Sequence, residues 1–155
     1  HAVVVMSLTK FYAVPGLRIG CSFAAPPLTE KLKSRLIPWN VNGPAQLYMT
    51  YAAGDRKFIE KSRTFCREER ARFVKALSEI EGLQVYPGCV NFILLKLTGS
   101  IRNAADLQKL LLPENIFIRQ CGNYEGLDDS YFRLAVRTRE ENDRLIHALK
   151  EVYHP

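Results

Sequence analysis

No run of apolar residues in this sequence approaches the roughly 18 that a membrane-spanning helix needs, so no membrane partner is expected. Cysteine is sparse. Cys21, Cys66, Cys89 and Cys121 are widely separated and form no CxxC pair, which argues against both a metal site and a disulfide framework. A reducing, cytoplasmic setting fits that usage best. A secretory leader is not expected either, because the apolar opening Ala2 to Met6 is too short and carries no cleavage site. The chain opens on His1 instead of Met, which suggests a tag remnant or a piece of something longer. Internal repeats and low-complexity segments are missing as well.

What is present describes a globular chain. Its 155 residues are 47% apolar and 25% charged, enough for one ordinary core or two small lobes. The net charge of +6 favours anionic partners, either phosphorylated small molecules or nucleic acid. A basic, solvated surface accounts for the same charge without any partner.

Patterning divides the chain. Ala2 to Met6 reads as a short strand buried on both faces. Such a strand needs neighbours on both sides, and few segments before residue 80 look able to pair with it. Ile19 to Ala25 is a second apolar run, closed by Pro26 and Pro27. Thr29 is placed to cap a helix over 30–36, which Pro38 ends. Asn42-Gly43-Pro44 is turn chemistry, and Pro44 suits the first turn of a helix reaching about Ala53. Asp55 can cap a long helix from Arg56 to Glu81, with Phe58, Phe65, Phe73, Leu77 and Ile80 as its apolar side and Gly82 as its stop. Beyond it, 83–86, 91–97, 116–119 and 131–136 look like strands. Residues 104–112 and 139–152 look like helices, the second with Glu140 and Glu141 suited to its dipole. The division expected is therefore the end of a larger α/β layer over 1–58 and a small α+β domain over 59–155.

The chemistry concentrates in Ser7-Leu-Thr-Lys-Phe-Tyr-Ala-Val-Pro-Gly-Leu-Arg-Ile-Gly20. If the chain stays extended there, the hydroxyls of Ser7 and Thr9 share one side. The Arg18 guanidinium suits a phosphate dianion, since its fork donates two parallel hydrogen bonds. Lys10 could capture an aldehyde as a Schiff base if desolvation and nearby positive charge lower its pKa. Residue types alone also allow, and by themselves favour, a plainer reading: a surface lysine and a loop arginine.

The order of these residues points further. Ser-x-Thr-Lys followed by Pro-Gly-Leu-Arg-x-Gly resembles the lysine signature of the class I/II aminotransferases, enzymes of fold-type I that depend on pyridoxal 5'-phosphate (PLP). The resemblance runs along essentially the whole chain, through Pro38-Trp-Asn-Val-Asn42, Asn91-Phe-Ile-Leu-Leu95, Phe132-Arg-Leu-Ala-Val136 and Thr138-Arg-Glu-Glu-Asn142. It implies an α/β fold: the C-terminal portion of fold-type I, with the end of the large-domain sheet and an α+β small domain. It implies that Lys10 is the catalytic residue and carries PLP, and that Ser7, Thr9 and Arg18 hold the cofactor phosphate. Arg133 is implied to grip the substrate α-carboxylate, with Asn91 also on the substrate. Arg119 of Ile116-Phe-Ile-Arg119 matches the arginine that contacts the distal phosphate in the branch acting on phosphorylated substrates. Two subgroups come nearest, the threonine-phosphate decarboxylases of cobalamin side-chain synthesis and the histidinol-phosphate aminotransferases. Arg119-Gln-Cys-Gly-Asn-Tyr-Glu-Gly-Leu127 and Pro38-Trp-Asn-Val-Asn42 look more like the decarboxylases. Arg137 stands where the aminotransferases usually have glycine, either as a second anion contact or facing solvent.

In that family, residues upstream of the lysine strand supply the aspartate on the pyridine nitrogen, the ring-stacking aromatic and most of the sheet. None of them is in this sequence. The expectation is therefore a fragment of a homodimeric enzyme, one that by itself binds PLP weakly or not at all and does not turn over. A basic nucleic-acid-binding module is the rival from another class, resting on the Lys/Arg-rich segment 56–75. Glu60, Glu68 and Glu69 interrupt that face, and no aromatic–basic recognition motif accompanies it. A non-catalytic structural remnant is the third reading.

Overall fold

The computed structural model describes residues 2–153. Two compact units divide the chain, one ending at Ile59 and the other starting at Glu60.

The first unit opens with strand β1 (Val3–Ser7), which pairs antiparallel with β2 (Gly20–Ala24) in the register Val3↔Ala24 to Ser7↔Gly20. A glycine is required at the last pair, because a Cβ on Gly20 would lie 2.9 Å from the Met6 carbonyl oxygen. Between the strands come a single helical turn, α1 (Leu8–Phe11), and a 3-10 turn over Pro15–Leu17. Helix α2 spans Pro26–Lys33, and α3 spans Gly43–Ala52. The Asn42 side chain caps α3 by accepting from the Ala45 amide at 2.9 Å, and its own amide donates to the Leu17 carbonyl at 2.9 Å. One residue thus starts a helix and ties it to the loop that follows Lys10.

Three expectations change here. β1 forms, but it is not buried: Val5 is 80% exposed and Val4 60%. An apolar run signals a strand whatever covers it, and only β2 pairs with β1 among the described residues. The second helix starts at Pro26, four residues before the expected start, because two prolines with preset φ suit a first turn. Thr29 lies inside that helix, its hydroxyl donating to the Ala24 carbonyl at 3.2 Å. The chain after Ser7 is helical, so Ser7 and Thr9 do not alternate along an extended segment.

Helix α4 (Arg56–Ser78) starts where Asp55 accepts from the Phe58 amide at 2.9 Å. It stops three residues short of the expected Glu81, and Gly82 makes the turn beyond it at φ +87°. From Glu60 onward it belongs to the second unit. There, β3 (Leu83–Tyr86), β4 (Phe92–Leu97), β5 (Arg119–Gln120) and β6 (Tyr131–Ala135) form one antiparallel sheet in the order β3-β4-β6-β5. Alternation gives the sheet a buried face, with Ile93, Leu95 and Leu97 of β4 and Phe132 and Leu134 of β6. Phe73, Leu77 and Ile80, then Leu107 and Leu111 of α5 (Ala104–Leu111), then Ile146 and Leu149 of α6 (Arg139–Tyr153) complete this core. Each such side chain contributes about 1.5–3 kcal/mol by leaving water. Phe58 and Phe65, expected on the same apolar side, remain exposed.

Of the expected strand 116–119 only Arg119 is in strand, forming β5 with Gln120. Residues 116–118 turn instead to the Gln108 side chain, which donates to the Ile116 carbonyl and accepts from the Ile118 amide, both at 2.8 Å. A side-chain amide has taken the pairing that a neighbouring strand would supply.

Candidate functional site

The stretch singled out in the sequence forms a tight, polar turn at one end of the β1–β2 ribbon. Ser7 closes β1, and the Leu8 amide donates to the Ile19 carbonyl at 3.2 Å, which brings the two ends of the stretch together. The hydroxyls of Ser7 and Thr9 lie 2.9 Å apart. Helical winding achieves this contact where an extended chain was expected to. Thr9 is buried, whereas Lys10 on the same turn is exposed. The Lys10 side chain forms no hydrogen bond or ion pair with any described residue, although its backbone carbonyl accepts from the Ala13 amide at 3.3 Å.

Two features hold this turn. Tyr12 is buried beneath it, stacked on Phe58 with ring centroids 5.8 Å apart and edge-on to Phe11 at 5.0 Å. The Val14 amide closes the turn on the Thr9 carbonyl at 3.0 Å. Arg18 follows in the left-handed region at φ 49°, a conformation that costs a non-glycine residue about 1 kcal/mol or more. Its guanidinium donates to the Pro15 carbonyl at 3.0 Å and is otherwise exposed. One closed turn therefore carries two hydroxyls in contact, one ammonium and one guanidinium, with no carboxylate paired to either cation among the described residues. That donor set fits a phosphate monoester and an aldehyde, the two reactive ends of PLP.

The second unit holds the other expected residues. Arg133 is half-buried on the face of β6 opposite the core, and β4 and β5 flank it. Its guanidinium lies 4.5 Å from the centroid of the Phe92 ring. Arg119 stands directly across the β5–β6 pair from it. The Arg119 guanidinium lies 5.7 Å from the Tyr124 ring centroid and donates to Asn123 at 3.5 Å. Like charges directly opposite each other destabilise a sheet. Here both are held by aromatic faces, and neither meets a carboxylate among the described residues. Beneath them, burial pushes the Cys121 thiol pKa up, against the pull of Arg133 and Arg119. Asn91 precedes β4 and is exposed, and its carbonyl accepts from the Val136 amide at 2.9 Å. The structure thus gathers Ser7, Thr9, Lys10 and Arg18 in one unit, and Arg119 with Arg133 in the other.

Arg137 has a partner of its own. It makes an ion pair with Glu141 at 2.7 Å, and the Glu141 carboxyl is held below its ordinary pKa by that arginine. Thr138 and Glu141 bond reciprocally as a capping box at the start of α6. Two clusters went unread in the sequence. Glu69, Arg72 and Asn142 form a buried network, and its one visible signal is Glu69 at i+4 from Phe65 and i−4 from Phe73, a carboxylate on an apolar stripe. The other is the aromatic group of Tyr12, Tyr48 and Phe58, whose members are far apart in the chain.

Comparison with known proteins adds to this geometry. A family model described as aminotransferase class I and II matches residues 1–149. The chain is 41% identical over 153 residues to the threonine-phosphate decarboxylase of Salmonella typhimurium, covering 98% of this chain and 41% of that protein. The histidinol-phosphate aminotransferase structure from Clostridium acetobutylicum superposes with a TM-score of 0.90 at 34% identity, over 97% of this chain and 45% of that one. The L-threonine-O-3-phosphate decarboxylase structure from Porphyromonas gingivalis gives a TM-score of 0.82 at 30% identity, over 99% and 47%. The chain spans about two fifths of the curated relative's length. Its α/β architecture is that of the fold-type I portion it matches. Among the described residues no helix is long and apolar enough to cross a membrane.

Proposed function

Because the chain belongs to the class I and II aminotransferase family, we propose that it is part of a PLP-dependent enzyme acting on a phosphorylated amino acid or amine, with threonine-phosphate decarboxylase as the activity. The observation that carries this reading is the single closed turn that carries Ser7, Thr9, Lys10 and Arg18, with the two hydroxyls in contact and neither cation paired to a carboxylate among the described residues. The reading assigns Ser7, Thr9 and Arg18 to the cofactor phosphate and Lys10 to its aldehyde carbon. When bound, PLP supplies an electron sink for one bond broken at the substrate α-carbon. Lys10 also moves a proton at that carbon. Arg133 binds the carboxylate, Asn91 assists on the substrate, and Arg119 binds the distal phosphate. Which bond breaks depends on the orientation these two arginines impose. The aromatic support of both guanidiniums favours this assignment, since neither is paired to a carboxylate among the described residues.

Histidinol-phosphate aminotransferase is the second reading, supported by the high structural likeness to such an enzyme. It needs the same two anion contacts, so the arginines do not separate the two. The working unit is proposed to be a cytoplasmic homodimer of the longer protein. The four free thiols among the described residues accord with that setting. By itself this chain is expected to hold PLP weakly and to be inactive.

The test combines labelling and assay. The chain is incubated with PLP at rising concentration, reduced with borohydride and mapped by peptide mass. The expected result is modification at Lys10 ahead of all other lysines, lost in Lys10→Ala and weakened in Arg18→Ala. Labelling spread evenly over the surface lysines overturns the cofactor assignment. Carbon dioxide release from threonine phosphate by the longer protein, set against glutamate formation from histidinol phosphate and 2-oxoglutarate, separates the two activities.

A further inference from the structure

A pocket lies in the first unit, lined by Tyr12, Tyr48, Tyr51, Ala52, Asp55 and Phe58. Its volume is about 300 Å³, at the small end of the range for ligand cavities. Four of the six lining residues are aromatic and one is a carboxylate. No lysine or arginine lines it, in a chain whose net charge is +6. Tyr12 lies nearly parallel to Phe58, with 16° between the ring planes, and nearly perpendicular to Tyr48, at 82°. Tyr51 remains 76% exposed beside them.

We infer that this pocket binds a small methylated ammonium ion, with the aromatic rings as its walls and Asp55 as its counter-charge. The sign of the ligand follows from electrostatics. Aromatic faces carry the negative part of the ring quadrupole and attract cations within about 6 Å of the centroid. Asp55 adds a full negative charge and has no ion-pair partner among the described residues. The class of cation follows from the hydrogen bonds already made. One Asp55 oxygen accepts from the Phe58 amide at 2.9 Å, and the Tyr48 hydroxyl donates to the Tyr12 carbonyl at 3.4 Å. A guanidinium needs several directional acceptors, and those groups are partly committed. A quaternary, fully methylated ammonium, the form proposed, needs none and presents apolar methyl groups to the rings.

The inference is independent of the role given to Lys10. The experiment is a titration of the 155-residue chain followed by proton NMR on the tyrosine and phenylalanine rings, with choline, its neutral isostere 3,3-dimethylbutan-1-ol and methylguanidinium as probes. Choline is expected to shift the rings of Tyr12, Tyr48, Tyr51 and Phe58 saturably, with the alcohol weaker by about tenfold and methylguanidinium also weaker, as expected of charge read by ring faces. Asp55→Asn keeps an α4 cap, because Asn caps a helix about as well as Asp, and should weaken choline by about fivefold. Tyr51→Ala, at an exposed position, should weaken it by about the same factor through loss of one ring face. Equal binding of the alcohol, tighter binding of methylguanidinium, an unchanged Asp55→Asn variant, or no saturable shift with choline each overturns the inference.

Discussion

Asn142 shows how one side chain can hold several elements. It is 1% exposed and uses its whole amide. Its nitrogen donates to Glu69 at 2.9 Å and to the Arg137 carbonyl at 3.1 Å, and its oxygen accepts from the Arg137 amide at 3.1 Å. Asn142→Ala removes one buried and two part-buried hydrogen bonds, with about 1–3 kcal/mol at stake for each group left unpaired, so a loss of about 3 kcal/mol is expected in urea unfolding; a loss below about 1 kcal/mol contradicts the network's importance. Glu69 is its pH-sensitive member. Hydrogen bonding from Arg72 is the largest influence on it and, with that from Asn142, outweighs burial, so the folded carboxyl titrates below its ordinary value. The stabilisation is therefore complete above the ordinary glutamate range, roughly pH 4–5, and is lost as pH falls through the lower folded value. Glu69→Gln should flatten that acid limb of a stability-versus-pH curve. An unchanged limb points to other carboxylates. Apart from a carboxylate on an apolar stripe, none of this was legible beforehand, because Glu69 and Asn142 lie 73 residues apart. The residues of the Lys10 turn could be picked out together because they are local in sequence, although their helical winding could not.

At the scale of elements, sequence reading succeeded where the signal is local and failed where neighbours decide. Asn42, Asp55 and Gly82 are punctuation whose chemistry works alone, and the structure uses all three. The apolar run of β1 and the run 116–119 needed knowledge of what lies alongside, β2 in one case and Gln108 in the other. The turn at Gly82 allows a sharp test. Its φ of +87° is unfavourable for any other residue, and a Cβ there would lie 2.8 Å from the Tyr153 ring and 3.1 Å from the Gly99 Cα. Gly82→Ala should therefore cost about 2–4 kcal/mol, combining left-handed strain with overpacking. Thermal unfolding of the variant measures it, and a cost under about 1 kcal/mol means that the turn between α4 and β3 rearranges freely. Tyr153→Phe should behave in the opposite way. Its hydroxyl is buried with no hydrogen-bond partner among the described residues, and burial pushes its pKa up to about 12. Removing that hydroxyl should leave stability unchanged or raise it.

Across the whole molecule, burial is unevenly shared. The continuous core runs from Phe73 to Leu149 and lies in the second unit. The first unit buries only Thr9, Tyr12 and Ala45 to a comparable degree among the described residues, and both its strands expose apolar side chains. Local opening free energy follows local burial, so the two units should differ in amide hydrogen exchange. Amides of β4, β6 and the Phe73–Leu77 segment should approach the global unfolding limit. Those of β1 and β2 should exchange faster by about 100-fold or more, because opening a two-stranded ribbon exposes little new apolar surface. The Lys10 turn caps that ribbon, so the proposed cofactor residues sit on its least protected part. Saturating PLP should then slow exchange at Leu8, Thr9 and Ile19 selectively, since a ligand that binds only the closed turn adds its binding free energy to that turn's opening cost. Uniform protection across both units contradicts the uneven-core argument, whereas a ligand effect confined to the second unit contradicts the placement of the cofactor at Lys10.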